Sequence, residues 1–214
     1  MARPSAFTAG LQLKTSLLAI RILLAQVGLI KTIRLSLDLA LQQITGAPFN
    51  HLPPPTTLRE TLSRKQIAPA ILLYRALRKH YSQNKALMIC REVVVKGTLL
   101  FLEKAVGPIE QNAVEQMDDE ERKSWIHNIA SQFFNASIEW NHFSETRIAF
   151  TVKRCRFPEL CREVGVPELA PIFCEGDEHF FNQPEHFVQL TRPHTIAGGA
   201  QDCPFSLSSK IKSP

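Results

Sequence analysis

Residues 11–44 read as helix, rich in Leu, Ile, Ala and Gln, with a bend at Gly28. Apolar residues fall almost all round it, so the segment is expected to be covered rather than freely solvated. Gly46, Pro48 and the run Pro53-Pro54-Pro55 end it and form a linker. Thr56 or Thr57 can cap a short helix that Glu60 supports. Ile67, Ala70, Ile71, Tyr74, Leu77 and Arg78 then predict a helix over 67–81. A longer apolar one follows over 83–105, with Gly97 inside it and Gly107-Pro108 breaking it. Residues 109–137 predict a more polar helix pair, in which Met117 to Arg122 looks like an acidic, solvated first turn. Beyond 137 the period changes. Residues 147–155 alternate like a strand. Short helices are expected over 157–164, closed by Gly165, and over 167–181. Strands are expected over 187–191 and 203–208, antiparallel to each other and joined through a turn at Gly198-Gly199, before a frayed tail over 210–214. The fold class is α+β: N-terminal helices followed by a small antiparallel sheet with packed helices. The linker divides residues 1–55 from an α+β domain over 56–214.

Charge changes the picture of the first segment. The 214 residues carry 25 Lys and Arg against 20 Asp and Glu, a net charge of +5. Arg3, Lys14, Arg21, Lys31 and Arg34 all precede the first acid, Asp38, so the rest of the chain is neutral. A nucleic-acid-binding body should carry its own basic stripe, and this one does not. The uncharged stretch Ile22 to Ile30, between Arg21 and Lys31, is short of the roughly 20 apolar residues of a spanning helix. Three roles suit the segment: a helix packed on the body or on a partner chain, as in a homo-oligomer; a membrane-surface helix over 11–44; or a transit peptide. A hydrophobic share of 44% with 21% charged residues excludes gross disorder and a disulfide scaffold. Five cysteines without a CxxC pair point to a reducing, cytoplasmic setting and away from ribbon-type zinc sites.

Reactive residues concentrate in the last third. In the run Cys174-Glu175-Gly176-Asp177-Glu178-His179, Cys174 and Asp177 share a helix face, and Glu175 and His179 share another. Thr191-Arg192-Pro193-His194-Thr195 continues to Gly198-Gly199 at a strand end, where a scaffold presents side chains to a small molecule. Asp177 is a candidate general base. Arg192 is a natural fork for a carboxylate, and His194 a candidate proton shuttle. Each also has a plain structural reading: a local hydrogen bond for Asp177, a surface ion pair for Arg192. A metal held by Cys155, Cys174, Asp177 and Cys203 is conceivable, but the spacings specify no metal and no cofactor.

Residues 147–208 resemble the L-2-amino-thiazoline-4-carboxylic acid hydrolase family. The likeness is carried by the strand ending in Cys155, the helix 157–164 and the Pro-Glu-Leu-Ala-Pro-Ile-Phe-Cys-Glu-Gly-Asp run ending at Asp177. Arg192, Thr195-Ile196-Ala197-Gly198, and Cys203 with Phe205 complete it. Looser similarity reaches back to about residue 60, and residues 1–55 lie outside it. One departure stands out: Pro204 occupies the place between Cys and Phe where the family pattern carries Asp.

The resemblance implies hydrolysis of a cyclic isothiourea to an N-carbamoyl cysteine. Asp177 would then serve as base or amidine partner, and Arg192 would hold the ring carboxylate. Cys203 or Cys174 would be a covalent nucleophile if a depressed thiol pKa made it a thiolate. Thr195 and the amides of Gly198 and Gly199 would donate hydrogen bonds to substrate. A non-catalytic small-molecule-binding module, favoured by Pro204, is the alternative. A structural or membrane-associated protein in which 11–44 is the active part is a third.

Overall fold

The structure is a computed structural model in which residues 9–111, 116–144 and 146–210 are described. Its described helices are α1 (Ala9–Val27), α2 (Leu29–Ile44), α3 (Leu58–Arg78), α4 (Gln83–Ala105), α5 (Asp119–Ser131), α6 (Arg156–Glu163) and α7 (Ala170–Phe181). The strands are β1 (Ala136–Phe143), β2 (Arg147–Cys155), β3 (Val188–Thr191) and β4 (Cys203–Ser209). They form one antiparallel sheet in the order β1-β2-β4-β3. The fold is α+β, with N-terminal helices leading into this sheet.

Several boundaries differ from the sequence reading. Gly28, at φ +80°, separates two helices where one bent helix is expected. Thr57 does cap the next helix, its Oγ1 accepting the Glu60 N–H at 3.1 Å. That helix runs unbroken through Pro69 to Arg78, so the short cap helix and the 67–81 helix are one element. Glu60 does not close a reciprocal box there, because its carboxylate pairs with Arg64 and Arg156 instead. The acidic turn before α5 is a full capping box between Asp118 and Glu121. Of the expected helix pair over 109–137, residues 112–115 lie outside the described residues, and 136–143 are strand β1, not helix. The tail beyond Lys210 and Arg3 also lie outside them.

Two apolar clusters share the interior. One joins α3, α4, α6 and α7 through residues such as Ile67, Ile71, Ile89, Leu160 and Ile172, all fully buried. The other lies between α4, α7 and the sheet, around Leu102, Phe180 and Leu190. Helices α4 and α7 cross at very close range: a Cβ placed on Gly176 would lie 2.4 Å from Thr98 Cγ2. Only glycine allows that approach, and it fixes the position of the next residue, Asp177. On another side of α4, α1 packs near Gly97, burying Ile22 and Leu23. α1 is long and apolar enough to cross a membrane by length and composition, although Lys14 and Arg21 interrupt its uncharged stretches.

Candidate functional site

A cavity of about 860 Å³ lies between one face of the sheet and helices α1, α4 and α7, and extends past residues of α2, α3 and α5. The strand period explains its wall. Alternate residues Ile148, Phe150 and Val152 of β2, and Cys203, Phe205 and Leu207 of β4, point into it. The antiparallel register sets Trp140 opposite Phe150, and Phe150 opposite Phe205. The result is an aromatic row across three strands: Trp140 and Phe150 meet edge-on at 5.4 Å, and Phe150 stacks on Phe205 at 4.8 Å. The Arg192 guanidinium caps the row, 5.0 Å above the Phe205 ring.

Arg192 and Asp177 form the polar end of this cavity. Arg192 Nη1 donates to Asp177 Oδ2 at 2.9 Å. Its Nη2 donates to the Cys174 carbonyl at 2.7 Å and to Glu178 at 3.0 Å. The side chain is 2% exposed, yet its buried Nε has no hydrogen-bond partner among the described residues. Leaving such a donor unpaired costs about 1–3 kcal/mol. Asp177 is deep in the molecule, and the 22% of its side chain that stays accessible borders the cavity. Burial pushes its carboxyl up to about 6, against the opposing pull of the Arg192 charge.

The sulfurs converge on the same wall. Cys155, Cys174 and Cys203 all line the cavity, and all five cysteines are free. Burial raises each of these three thiols, Cys155 to about 11, and the Asp177 charge adds to the rise at Cys174. Burial thus acts against the thiolate form that a covalent nucleophile requires. Cys203 Sγ accepts the Ile196 N–H at 3.0 Å, and Cys155 Sγ accepts from Asn135 at 3.4 Å. Among the described residues no group of three or more His, Cys, Asp or Glu is arranged to hold a metal ion. The conceived set of Cys155, Cys174, Asp177 and Cys203 is thus not such a group.

The turn after β3 packs on α7, but its polar groups look elsewhere. His194 pairs with Asp202 at 3.0 Å on the outer surface, and the cavity wall does not include it. Thr195 Oγ1 accepts the Gly198 N–H at 3.0 Å, capping a single 3-10 turn (Ile196–Gly198). Neither Thr195 nor Gly198 borders the cavity. Of the sequence candidates, Asp177, Arg192, Cys174 and Cys203 come together; His194, Thr195 and Gly198 do not join them. Sequence reasoning missed Asn135, Thr98 and the aromatic row. The alternation of Ile138 and Trp140 with Glu139 and Asn141 was the available signal for the strand that carries Trp140.

The sequence profile of the L-2-amino-thiazoline-4-carboxylic acid hydrolases matches residues 61–207, well over half of the chain. The chain belongs to that family. No curated protein matches the chain, and no solved structure does. Every residue of the polar end lies within the matched stretch of this hydrolase family, whereas α1, which also walls the cavity, precedes it. The family departure at Pro204 falls outside the cavity. Cys203 and Phe205 face inward, so the side chain between them faces the other side of the sheet. β3 has already ended at the Thr191–Ser206 pair, so β4 has only β2 beside it at Pro204, where a strand tolerates a missing donor.

Proposed function

We propose that this family member opens a cyclic isothiourea ring, of the 2-amino-thiazoline-4-carboxylate type, by hydrolysis. The observation that carries the reading is the Asp177–Arg192 pair at one end of a mostly apolar cavity, with the carboxyl raised to about 6. A base with a pKa just below neutrality is ionised at pH 7 and still takes up a proton readily. Asp177 accepts a proton from water as the water oxygen adds to the amidine carbon, C2. As the oxygen adds, the C2=N π pair moves onto the ring nitrogen, which takes the second water proton; the tetrahedral species then forms a C=O bond, breaks the C2–S bond and expels sulfur. The sulfur takes the proton that Asp177 holds, giving a free thiol and an N-carbamoyl cysteine. One water is consumed and no redox change occurs. Arg192, whose two Nη groups hold Asp177, Glu178 and the Cys174 carbonyl, supplies the positive charge that draws the ring carboxylate to this end of the cavity. With their thiols held protonated, Cys174 and Cys203 shape the wall in this scheme, and water is the nucleophile.

The alternative of a non-catalytic binding module drew on Pro204. A side chain directed away from the cavity lends it little support. Purified full-length protein incubated with 2-amino-thiazoline-4-carboxylate tests the proposal through the free thiol it releases. Thiol accumulating in step with the carbamoyl product is expected. No thiol above the blank, with ligand binding retained in calorimetry, would favour the binding module.

A further inference from the structure

We infer that the natural substrate is amphiphilic: its polar ring sits at Arg192 and Asp177, and a substantial apolar body lies along the aromatic row. The inference rests on the proposed reaction for the identity of the head group. Its own ground is the size and chemistry of the cavity. About 860 Å³ is towards the upper end of the 300–1,000 Å³ typical of sites for drug-sized ligands. A single small ring bearing a carboxylate and an amine would leave most of that space unfilled. The unfilled part is walled by Trp140, Phe150 and Phe205 on one side and by α1 and α4 residues such as Leu23, Val94 and Phe101 on the other. Such walls gain nothing from a polar solute and gain from each apolar group they bury. The charged Arg192–Asp177 pair at one end gives the ligand its polarity and its direction. α1 lies before the matched stretch, so this chain closes the cavity with a segment of its own.

The chain has two tryptophans, Trp125 and Trp140, and both line the cavity. Their fluorescence therefore reports occupancy without any need for turnover. Full-length protein is titrated with 2-amino-thiazoline-4-carboxylates carrying alkyl chains of increasing length on the exocyclic nitrogen. The expected result is a Kd that falls about fourfold per added methylene until the cavity is full. Ala19→Phe, which narrows the α1 wall, should stop that gain at a shorter chain. A Kd that is flat or rises with chain length would overturn the inference, even if thiol release from the bare ring continues. Chain-length-dependent binding with no thiol from any member of the series would instead overturn the proposed reaction and leave the amphiphile standing.

A second, independent observation concerns the outer side of the N-terminal helices. Leu13, Leu17, Ile20 and Leu24 recur at intervals of three or four along α1, all exposed. Ile30, Ile33, Leu37 and Leu41 do the same along α2. Lys14, Arg21, Lys31 and Arg34 accompany these stripes, and no acid occurs before Asp38, which Lys79 neutralises. From this combination of apolar rows and unopposed positive charge we infer docking on an anionic lipid surface. Full-length protein should sediment with phosphatidylcholine vesicles containing phosphatidylglycerol, less so at high salt, and not with phosphatidylcholine alone. The double variant Leu17→Glu with Ile33→Glu should stay in the supernatant. Protein that ignores anionic vesicles, or a variant that sediments like the parent, would contradict this. A dimer that the same double variant dissociates would show that a second copy covers the face instead.

Discussion

Two opposing influences act on the Asp177 carboxyl: burial favours its neutral form and the Arg192 charge its ionised form. Burial prevails, and the group is left as a base suited to near-neutral pH. The neighbouring Cys174 and Cys203 feel the same two influences, and burial outweighs the Arg192 charge there as well, which raises both thiols. The two residue types therefore separate on substitution. Asp177→Asn should lower kcat by about 10²–10⁴, the span general-base catalysis contributes. Cys174→Ser and Cys203→Ser, each assayed by thiol release, should leave kcat within a few-fold of the parent; a comparable collapse in either would restore a covalent route. Arg192→Lys removes Nε and the fork that serves three acceptors at once. It should raise KM about tenfold, equivalent to roughly 1.4 kcal/mol, more than it lowers kcat.

At the scale of elements, the α4–α7 crossing places Asp177, the proposed base. Thr98 lies where a side chain on Gly176 would begin, so the helices cannot separate without moving Asp177. Gly176→Ala should cost about 1–3 kcal/mol through overpacking, read as a lower urea midpoint, with kcat falling alongside. An unchanged midpoint would mean that the crossing yields easily. This crossing also marks where sequence reading stops. The i, i+3 spacing puts Cys174 and Asp177 on one face, and that is legible because helix geometry is local. The reason for Gly176 is tertiary: it depends on which residue of another helix arrives beside it. β1 escaped for a different reason. Its alternating residues directly follow an amphipathic helix, and Phe133 and Phe134 serve a helical period as well as the end of one. His194 and Thr195 were legible as a turn at a strand end. The direction of their side chains, towards Asp202 and Gly198, was not.

Across the whole molecule, the cavity joins segments that a reading along the chain would separate. Its polar end comes from α7 and the residue after β3, its aromatic wall from three strands, and part of its opposite wall from α1. Leu23 anchors that helix, 4% exposed and packed into the core with the α3 and α4 residues. Leu23→Ala should cost about 2–5 kcal/mol. It should do so within a single unfolding transition followed by circular dichroism and by tryptophan fluorescence together. Loss of the fluorescence signal well before the helical one would show instead that the N-terminal helices and the sheet unfold as separate units.

The central claim is that Asp177, held by Arg192, is the group whose ionisation permits ring opening. The most direct measurement is kcat/KM for thiol release by the full-length protein across about pH 5 to 8, with Asp177→Asn as the control. Because the ionised carboxylate is the active form and burial raises it to about 6, the rate should climb with pH through a midpoint near 6 and level off above it. Asp177→Asn should abolish that step along with most of the activity. A profile that is flat through this range, or a midpoint that survives in Asp177→Asn, would contradict the account.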